Sequence, residues 1–437
     1  MNVCVYTLGC RLNQCESEAI ADSFAQQGFT IVDERQHSDL YIVNTCTVTS
    51  KAEQKARRMI RKFSQEGVTL ITGCYAQVNE EELLTLGENL IVVPLSKKAQ
   101  LLKLAAHINA SLGAGFTLLE AARSFSDEEA SPFDYDAASF SYHSRAYLKV
   151  QDGCDNSCAY CRVHIARGKA ISLDEATVVE RALALEASGF QEIMLTGVNL
   201  TMYDHKREGL GGLLQALLER LSSSTRLRLS SMEPDHIDER LLDALADPRM
   251  QPHFHIPIQS GSDRILRRVD RHYTIEELVR ILERLRRIKA DPFIAADFIT
   301  GLPGESDEDW AATRALVEAQ QFASLHVFPF SPRPDTPLFN PSDRVAESVR
   351  DERAKDLRDL GALLFERYRA RQVGQSGEVI LQNRKGGAWY GISGNYLEVK
   401  IDDPPAFGRE GMLVSGTFSA VIAKENRIGF VVEAKVS

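Results

Sequence analysis

Three cysteines spaced Cys154-x-x-x-Cys158-x-x-Cys161 stand directly behind a predicted strand, and no other feature constrains the chain as strongly. Three thiolates at that spacing can wrap one corner of a cubane iron–sulfur cluster, ligating three irons and leaving the fourth open. The motif begins at Gly153-Cys154, at a strand end, where a β/α barrel places its chemistry. Tyr160 precedes the last cysteine and would lie near whatever binds the open iron. A zinc knuckle and a set of buried thiols are the competing readings. Zinc sites usually want four closed ligands in paired C-x-x-C form.

Eight cysteines occur in 437 residues, and none follows Cys161. The start, Met1-Asn2-Val3-Cys4-Val5, has no basic leader and reads as a strand, so no export signal is expected and the location is expected to be cytoplasmic. A disulfide framework is not expected there; clustered cysteines more often bind metal or do redox chemistry. Cys10, Cys46 and Cys74 each close a predicted strand, in Thr7-Leu8-Gly9-Cys10, Ile42-Val43-Asn44-Thr45-Cys46 and Ile71-Thr72-Gly73-Cys74. In an open parallel sheet the carboxyl ends of the strands gather along one edge, where ligands bind. These three cysteines can therefore converge as a second set of metal ligands, or they are three independent buried thiols, which are common in strands. Cys4 reads as core, and Cys15, one helical turn past Cys10, is a lesser ligand candidate.

The rest of the pattern is α/β. Strands and helices alternate from residue 1 to about 112, which implies a parallel sheet with helices on its faces. Residues 113–143 shift to Gly, Ser, Asp, Glu and Ala without a clear period and read as a linker. From 144 to 373 six further β/α units suggest a partial (β/α)6 barrel followed by a charged helix, Val345 to about Gln372. One helix is expected to open with a capping box at Ser172-Leu173-Asp174-Glu175. Residues 374–437 carry short alternating runs and closely spaced glycines, the pattern of a small antiparallel β-barrel. The most apolar long stretch, Leu101 to Ala122, is broken by Lys103, His107 and Asn109, so no membrane span or membrane partner is expected.

A formal net charge of −10 argues against a broadly basic nucleic-acid coat but allows a local basic groove. Arg57, Arg58, Arg61 and Lys62 share one helix; Arg264, Arg267, Arg268 and Arg271 follow the fourth barrel strand; Arg367, Arg369 and Arg371 end the last helix. Each group is either a phosphate contact or a solvated face. Trp389 and Tyr390 either stack on bases or fill the C-terminal barrel, whose seven basic and seven acidic residues cancel.

Cys-x-x-x-Cys-x-aromatic-Cys at the first strand of a β/α barrel resembles the radical S-adenosylmethionine superfamily. Ordered blocks along nearly the whole chain resemble its methylthiotransferase family. They include Gly9-Cys10-Arg11-Leu12-Asn13-Gln14, Asn44-Thr45-Cys46-Thr47, Thr72-Gly73-Cys74-Tyr75, His255-Ile256-Pro257-Ile258-Gln259-Ser260-Gly261, Gly301-Leu302-Pro303-Gly304-Glu305 and Phe328-Pro329-Phe330-Ser331-Pro332-Arg333. The end resembles the RNA-binding barrel called TRAM.

The resemblance implies two 4Fe–4S clusters, on Cys154/Cys158/Cys161 and on Cys10/Cys46/Cys74. S-adenosylmethionine would be cleaved reductively at the first, and a methylthio group placed on tRNA in the anticodon loop. A reductant protein such as flavodoxin or ferredoxin would supply electrons. Gly-Cys-Arg-Leu-Asn-Gln is most similar to the branch acting at C2 of threonylcarbamoyladenosine; isopentenyladenosine and a ribosomal protein are the targets of the other branches. A non-catalytic metal protein that binds RNA is the reading from another class. Gly197, Glu233 and Gln259, at barrel strand ends, are the expected adenosylmethionine contacts, and Arg333 the expected substrate contact. The chain departs from the family pattern at His164, where Pro is usual, at Ala170 and Ile171, and at Asp335, where Gly is usual.

Overall fold

The computed structural model describes residues 1–125, 128–135, 144–402 and 408–433. It divides into two compact units. One holds residues 1–142, 149–173 and 331–339, and the other holds 143–148, 174–330 and 340–437.

In the first unit a parallel sheet has the order β2-β1-β3-β4-β5, formed by β1 (Asn2–Thr7), β2 (Thr30–Ile31), β3 (Leu40–Thr45), β4 (Val68–Gly73) and β5 (Leu90–Val92). Every residue of β3 and β4 is buried, as expected when helices cover both faces of a parallel sheet. The period of two sorts the side chains. Leu40, Ile42 and Leu70 join Ile20, Phe24, Leu104 and Ile108 on one face. Tyr41, Val43 and Ile71 join Ala56, Ile60 and Phe63 on the other. Burying each large apolar side chain contributes about 1.5–3 kcal/mol, so helices Arg11–Gln26 and Leu101–Gly113 are held to the first face and Ser50–Glu66 to the second.

The segment expected as a linker is partly ordered into this unit. Leu118–Arg123 is a helix with a capping box between Thr117 and Glu120, and Ala121, Ala122 and Tyr135 pack into the first core. Residues 126–127 and 136–143 of that expected linker lie outside the described residues. The same unit contains a short antiparallel ribbon of β7 (Gln151–Asp152) and β8 (Ile171–Ser172), either side of the cysteine motif. The expected capping box at Ser172 does not form. Ser172 pairs with Gln151 in the ribbon, and Asp174 caps helix Glu175–Ala187 by accepting from Thr177 N.

The second unit carries two three-stranded sheets, β10-β9-β6 and β11-β12-β13. They comprise β6 (Ala146–Lys149), β9 (Glu192–Thr196), β10 (Arg226–Leu229), β11 (His253–Gln259), β12 (Phe293–Thr300) and β13 (Ser324–Pro329). The β9/β10, β11/β12 and β12/β13 pairs are parallel, and isolated parallel bridges Leu227↔Met250 and Ser231↔His255 link the two halves. These are the six strands of the expected partial barrel.

Helix Glu347–Gln372 follows. The chain then forms a closed barrel, β14-β15-β16-β18-β17, from β14 (Ser376–Lys385), β15 (Ala388–Ser393), β16 (Glu398–Ile401), β17 (Leu413–Ile422) and β18 (Arg427–Val432). It is not wholly antiparallel as expected, because β16 and β18 pair in parallel. The barrel is seated on the amino ends of β9 and β10. Arg228 donates to both carboxylate oxygens of Glu192 at 2.8 and 2.9 Å, and to the carbonyls of Gly394 and Ser393 at 2.9 and 3.1 Å. Arg226 grips Glu378 with two 2.6 Å bonds.

Candidate iron–sulfur sites and their surroundings

Cys10, Cys46 and Cys74 follow β1, β3 and β4, which are sheet neighbours, so their strand ends open on one edge. Gly9 (φ +96°) lets Cys46 lie against its backbone; a Cβ there would sit 2.6 Å from Cys46 Cβ and 2.7 Å from its Sγ. Gly73 (φ +97°) makes the equivalent turn, where a Cβ would meet Thr45 O at 2.4 Å. Side chains of the family-like blocks stitch the three loops together. Asn13 Nδ2 donates to Leu8 O and Thr45 O at 2.8 and 3.0 Å. Asn44 Nδ2 donates to Asn13 O at 2.9 Å, and Thr45 Oγ1 to Thr72 O at 2.6 Å.

Burial, then the neighbouring Cys10 and Cys74, push the Cys46 thiol up to about 12. Burial likewise pushes the Cys10 thiol up, so Cys10 and Cys46 sit where the protonated form is favoured until a metal takes the proton's place. N–H groups already point at two of these sulfurs, from Val48 N to Cys46 Sγ at 3.5 Å and from Arg167 Nε to Cys74 Sγ at 3.2 Å. No disulfide joins any of the cysteines. Cys4 is core, as expected, and Cys15 is buried.

The second set is built on a tight loop. Gly153 (φ +71°) must be glycine, because a Cβ there would lie 1.9 Å from Lys169 O. Asp152 Oδ1 accepts from Gly153 N at 2.7 Å, and Gly168 O from Cys154 N at 3.0 Å. Burial, then Cys158 and Cys154, push the Cys161 thiol up to about 12 against the N–H groups of Val163 and His164. Three thiols, no fourth protein ligand in the motif, and N–H donors at the sulfurs suit a cubane with an open iron better than a closed zinc site. Tyr160 is half-buried within this loop.

Two arginines that follow this motif hold the first unit together, and sequence reasoning missed both. Arg162 donates from Nη1 to Asn79 Oδ1 at 2.6 Å and from Nη2 to Asp335 Oδ2 at 2.7 Å, and Nη1 also lies 3.6 Å from Glu53. Asp335 has φ +65°, which explains why glycine is usual there. Aspartate tolerates that backbone, and here its carboxylate answers Arg162. Arg167 meets Asp152, Glu16 and Asn13 as well as Cys74.

Arg333 is a correction. It was expected to face substrate, yet its side chain is 3% exposed and ion-paired with Glu53. It also donates to Ser50 Oγ at 3.1 Å and Thr47 Oγ1 at 3.4 Å. A strand-end cation whose fork is filled by a buried carboxylate fastens the loop after β13 to the loop after Cys46, and has no charge to spare for a ligand.

In the second unit, Gln259 stands at a strand end, whereas Glu233 lies four residues beyond β10 and opens the helical turn Pro234–His236. Glu233 is ion-paired with Arg271, which donates to Oε1 at 3.0 Å, and burial nevertheless holds the Glu233 carboxyl above its ordinary value. Gln259 closes β11 with φ +72° beside a register shift. Gly197 follows β9 directly, partly exposed.

Asp297 of β12, unremarked in the sequence, accepts at Oδ1 from His255 Nε2 (2.6 Å) and His326 Nδ1 (2.9 Å), and Ser231 Oγ lies 2.8 Å from His255 Nδ1. Burial works to raise its pKa, but these bonds outweigh burial and hold the carboxyl near 2, so it stays ionised. The expected basic patches are mostly paired. Arg57 binds Tyr75 and Glu82, Arg264 binds Asp309, Arg268 binds Asp343, Arg369 binds Glu366 and Arg371 binds Asp291. Trp389 is barrel core, while Tyr390 is half-exposed under Arg427, 4.8 Å from its ring centre.

Comparison with known proteins agrees with this geometry. The profile of the radical SAM superfamily matches residues 148–317, and that of an uncharacterized protein family, UPF0004, matches residues 2–93. The radical S-adenosylmethionine methyltransferase TsrM from Kitasatospora setae superposes with a TM-score of 0.54 at 16% identity, covering 77% of this chain and 75% of that one. The chain is, by class, a radical S-adenosylmethionine enzyme.

Threonylcarbamoyladenosine tRNA methylthiotransferases called MtaB are similar along nearly their whole length. That of Treponema pallidum is 36% identical, over 84% of this chain and 88% of its own. That of Thermotoga maritima is 33% identical over 89% and 87%, and that of Bacillus subtilis 32% over 91% and 89%. This chain belongs to that family, the MtaB-type methylthiotransferases.

Proposed function

We propose that the chain places a methylthio group at C2 of threonylcarbamoyladenosine next to the tRNA anticodon. The observation that carries this reading is two sets of three thiols inside one unit, in a chain similar to an MtaB protein over 84% of its length. Cys154, Cys158 and Cys161 would hold one 4Fe–4S cluster and Cys10, Cys46 and Cys74 the other.

When bound, the first cluster together with S-adenosylmethionine supplies one-electron reductive cleavage of a sulfonium, which ordinary acid–base groups cannot do. The residues around the clusters supply the rest. Gly9, Gly73 and Gly153 shape the loops, the N–H groups of Val48 and Val163 favour thiolate over thiol at Cys46 and Cys161, Arg167 donates to the Cys74 sulfur, and Tyr160 would lie near the open iron. Gly197, Glu233 and Gln259 remain the proposed adenosylmethionine contacts. A small electron-carrier protein of the flavodoxin or ferredoxin kind is the proposed reductant, and the compartment proposed is the cytoplasm; among the described residues no helix is long and apolar enough to cross a membrane.

The closed C-terminal barrel is proposed to be TRAM-like and to touch the tRNA. Its groove is lined by Asn383, Lys385 and the half-exposed Tyr390 beside the ion pairs Lys400–Asp402 and Arg427–Glu398; the ring is what it would offer to a base of single-stranded RNA. Anticodon-loop bases can be splayed out and read at their edges.

The test gives reduced, reconstituted enzyme two tRNAs in competition, bearing threonylcarbamoyl- and isopentenyladenosine, with nucleosides read by mass spectrometry. Methylthiolation of the threonylcarbamoyl nucleoside is expected. Exclusive modification of the isopentenyl tRNA would overturn the substrate, and cleavage of adenosylmethionine with neither tRNA modified would overturn tRNA as the target. A variant with Cys10, Cys46 and Cys74 all changed to Ala should retain about half of roughly eight irons per chain.

A further inference from the structure

We propose that Arg167 sets the reduction potential of the cluster on Cys10, Cys46 and Cys74, acting as a positioning residue that reaches from one cysteine set to the sulfur of the other. The inference rests on the proposed assignment of that cluster to those three thiols.

Arg167 closes helix Val163–Arg167, six residues after Cys161, and its side chain is 2% exposed. Its three nitrogens are all committed. Nε donates to Cys74 Sγ at 3.2 Å. Nη1 donates to both oxygens of Asp152 at 3.0 Å and to Glu16 Oε1 at 3.2 Å. Nη2 donates to Asn13 Oδ1 at 2.9 Å and Glu16 Oε2 at 3.3 Å. A guanidinium pinned on two sides by carboxylates cannot swing away from the sulfur. Lysine, a point charge on a flexible stem, would not reproduce that fork.

Charge gives the second argument. Glu16 also accepts from Lys149 at 2.7 Å and pairs with Lys98, and Lys149 lies 2.6 Å from Asp152. The ion-paired group therefore has three cations, Lys98, Lys149 and Arg167, against two carboxylates, Glu16 and Asp152, all nearly inaccessible to water. One positive charge is left over, and a buried surplus of that kind calls for an anion. A cubane core of charge 2+ on three thiolates carries −1 and balances it. Reduction takes that to −2, so the cationic surplus and the N–H···S bond both favour the reduced cluster, and both raise its potential.

The test uses the full chain with Cys154, Cys158 and Cys161 changed to Ala, so that only the proposed N-terminal cluster is present. Its midpoint potential is read by electron paramagnetic resonance during a redox titration, with iron measured alongside. Arg167→Lys keeps the charge but loses the N–H···S bond, and its potential should fall below that of the parent. Arg167→Met loses both, and its potential should fall further. An unchanged potential in Arg167→Lys with iron retained overturns the inference, whether or not Arg167→Met folds. A parent that binds no iron overturns the cluster assignment itself, and the inference with it; that failure is told apart by appearing before Arg167 is touched.

Discussion

Glu16→Gln is the substitution that the first unit should tolerate worst. The carboxylate is 2% exposed and answers Lys98, Lys149 and Arg167 at once. Glutamine fills the same space but removes the charge, leaving Asp152 alone against three buried cations. Breaking a buried ion pair by removing one partner costs about 3–5 kcal/mol, and here one partner serves three. For a unit of this size each kcal/mol moves the midpoint by about 2–4 °C, so the apo protein should melt roughly 6–20 °C lower. Differential scanning calorimetry of apo wild type and variant measures this directly.

The pH dependence of the wild type tests the same network. Burial works to raise the Glu16 pKa, but Arg167, Lys149 and Lys98 outweigh burial and hold the carboxyl well below its ordinary 4.5. A carboxyl whose folded pKa is depressed stabilises the fold fully above the unfolded value. That stability is lost as pH falls from about 4.5 toward the folded pKa, because the unfolded chain takes up the proton first. The midpoint of wild type should therefore drop toward that of Glu16→Gln below about pH 4.5. A Glu16→Gln protein melting within about 2 °C of wild type at pH 7, or a gap between them that does not narrow in acid, would refute the reasoning.

Two further substitutions probe backbone geometry. Gly9→Ala puts a Cβ 2.6 Å from that of Cys46 on a left-handed residue, so it should cost about 2 kcal/mol or more and, by displacing Cys46, lower iron per chain toward half on analysis of the reconstituted protein. Asp335→Gly relieves a left-handed aspartate at φ +65° but gives up the bond to Arg162, whose partner carboxylate is 63% exposed. The two effects are each about 1 kcal/mol and opposed, so the melting midpoint should move by less than about 3 °C.

The parts of the fold that were legible in the sequence are those written in local pattern. The apolar run Leu40–Val43 of β3 and Val68, Leu70 and Ile71 of β4 announce buried strands, and a cysteine after each strand announces its position along the sheet edge. The spacing of the cysteines let two candidate ligand sets be proposed without knowing how the chain packs, with buried thiols as the competing reading. Ion pairs are different, because a carboxylate carries no mark of its partner. Glu16 meets Lys98 and Arg167 across 82 and 151 residues, and Arg333 meets Glu53 across 280. Reading Arg333 as a ligand-facing cation failed for that reason; a strand end places the side chain but does not say whether its charge is already spent.

One signal was nevertheless present. Helix Arg11–Gln26 buries Leu12, Asn13, Glu16, Ala19 and Ile20 in a continuous stripe, and β6 buries all of Ala146-Tyr147-Leu148-Lys149. A glutamate in an apolar stripe and a lysine in an apolar strand cannot be left unpaired in the core, since each would cost several kcal/mol. Each must therefore have a buried opposite charge elsewhere in the chain. Lys149, Asp152, Arg162 and Arg167 bracket the Cys154–Cys161 motif and all find partners in the first unit or within their own segment. Residues 149–173 lie in the unit that holds Cys10, Cys46 and Cys74, although by sequence order they begin the barrel.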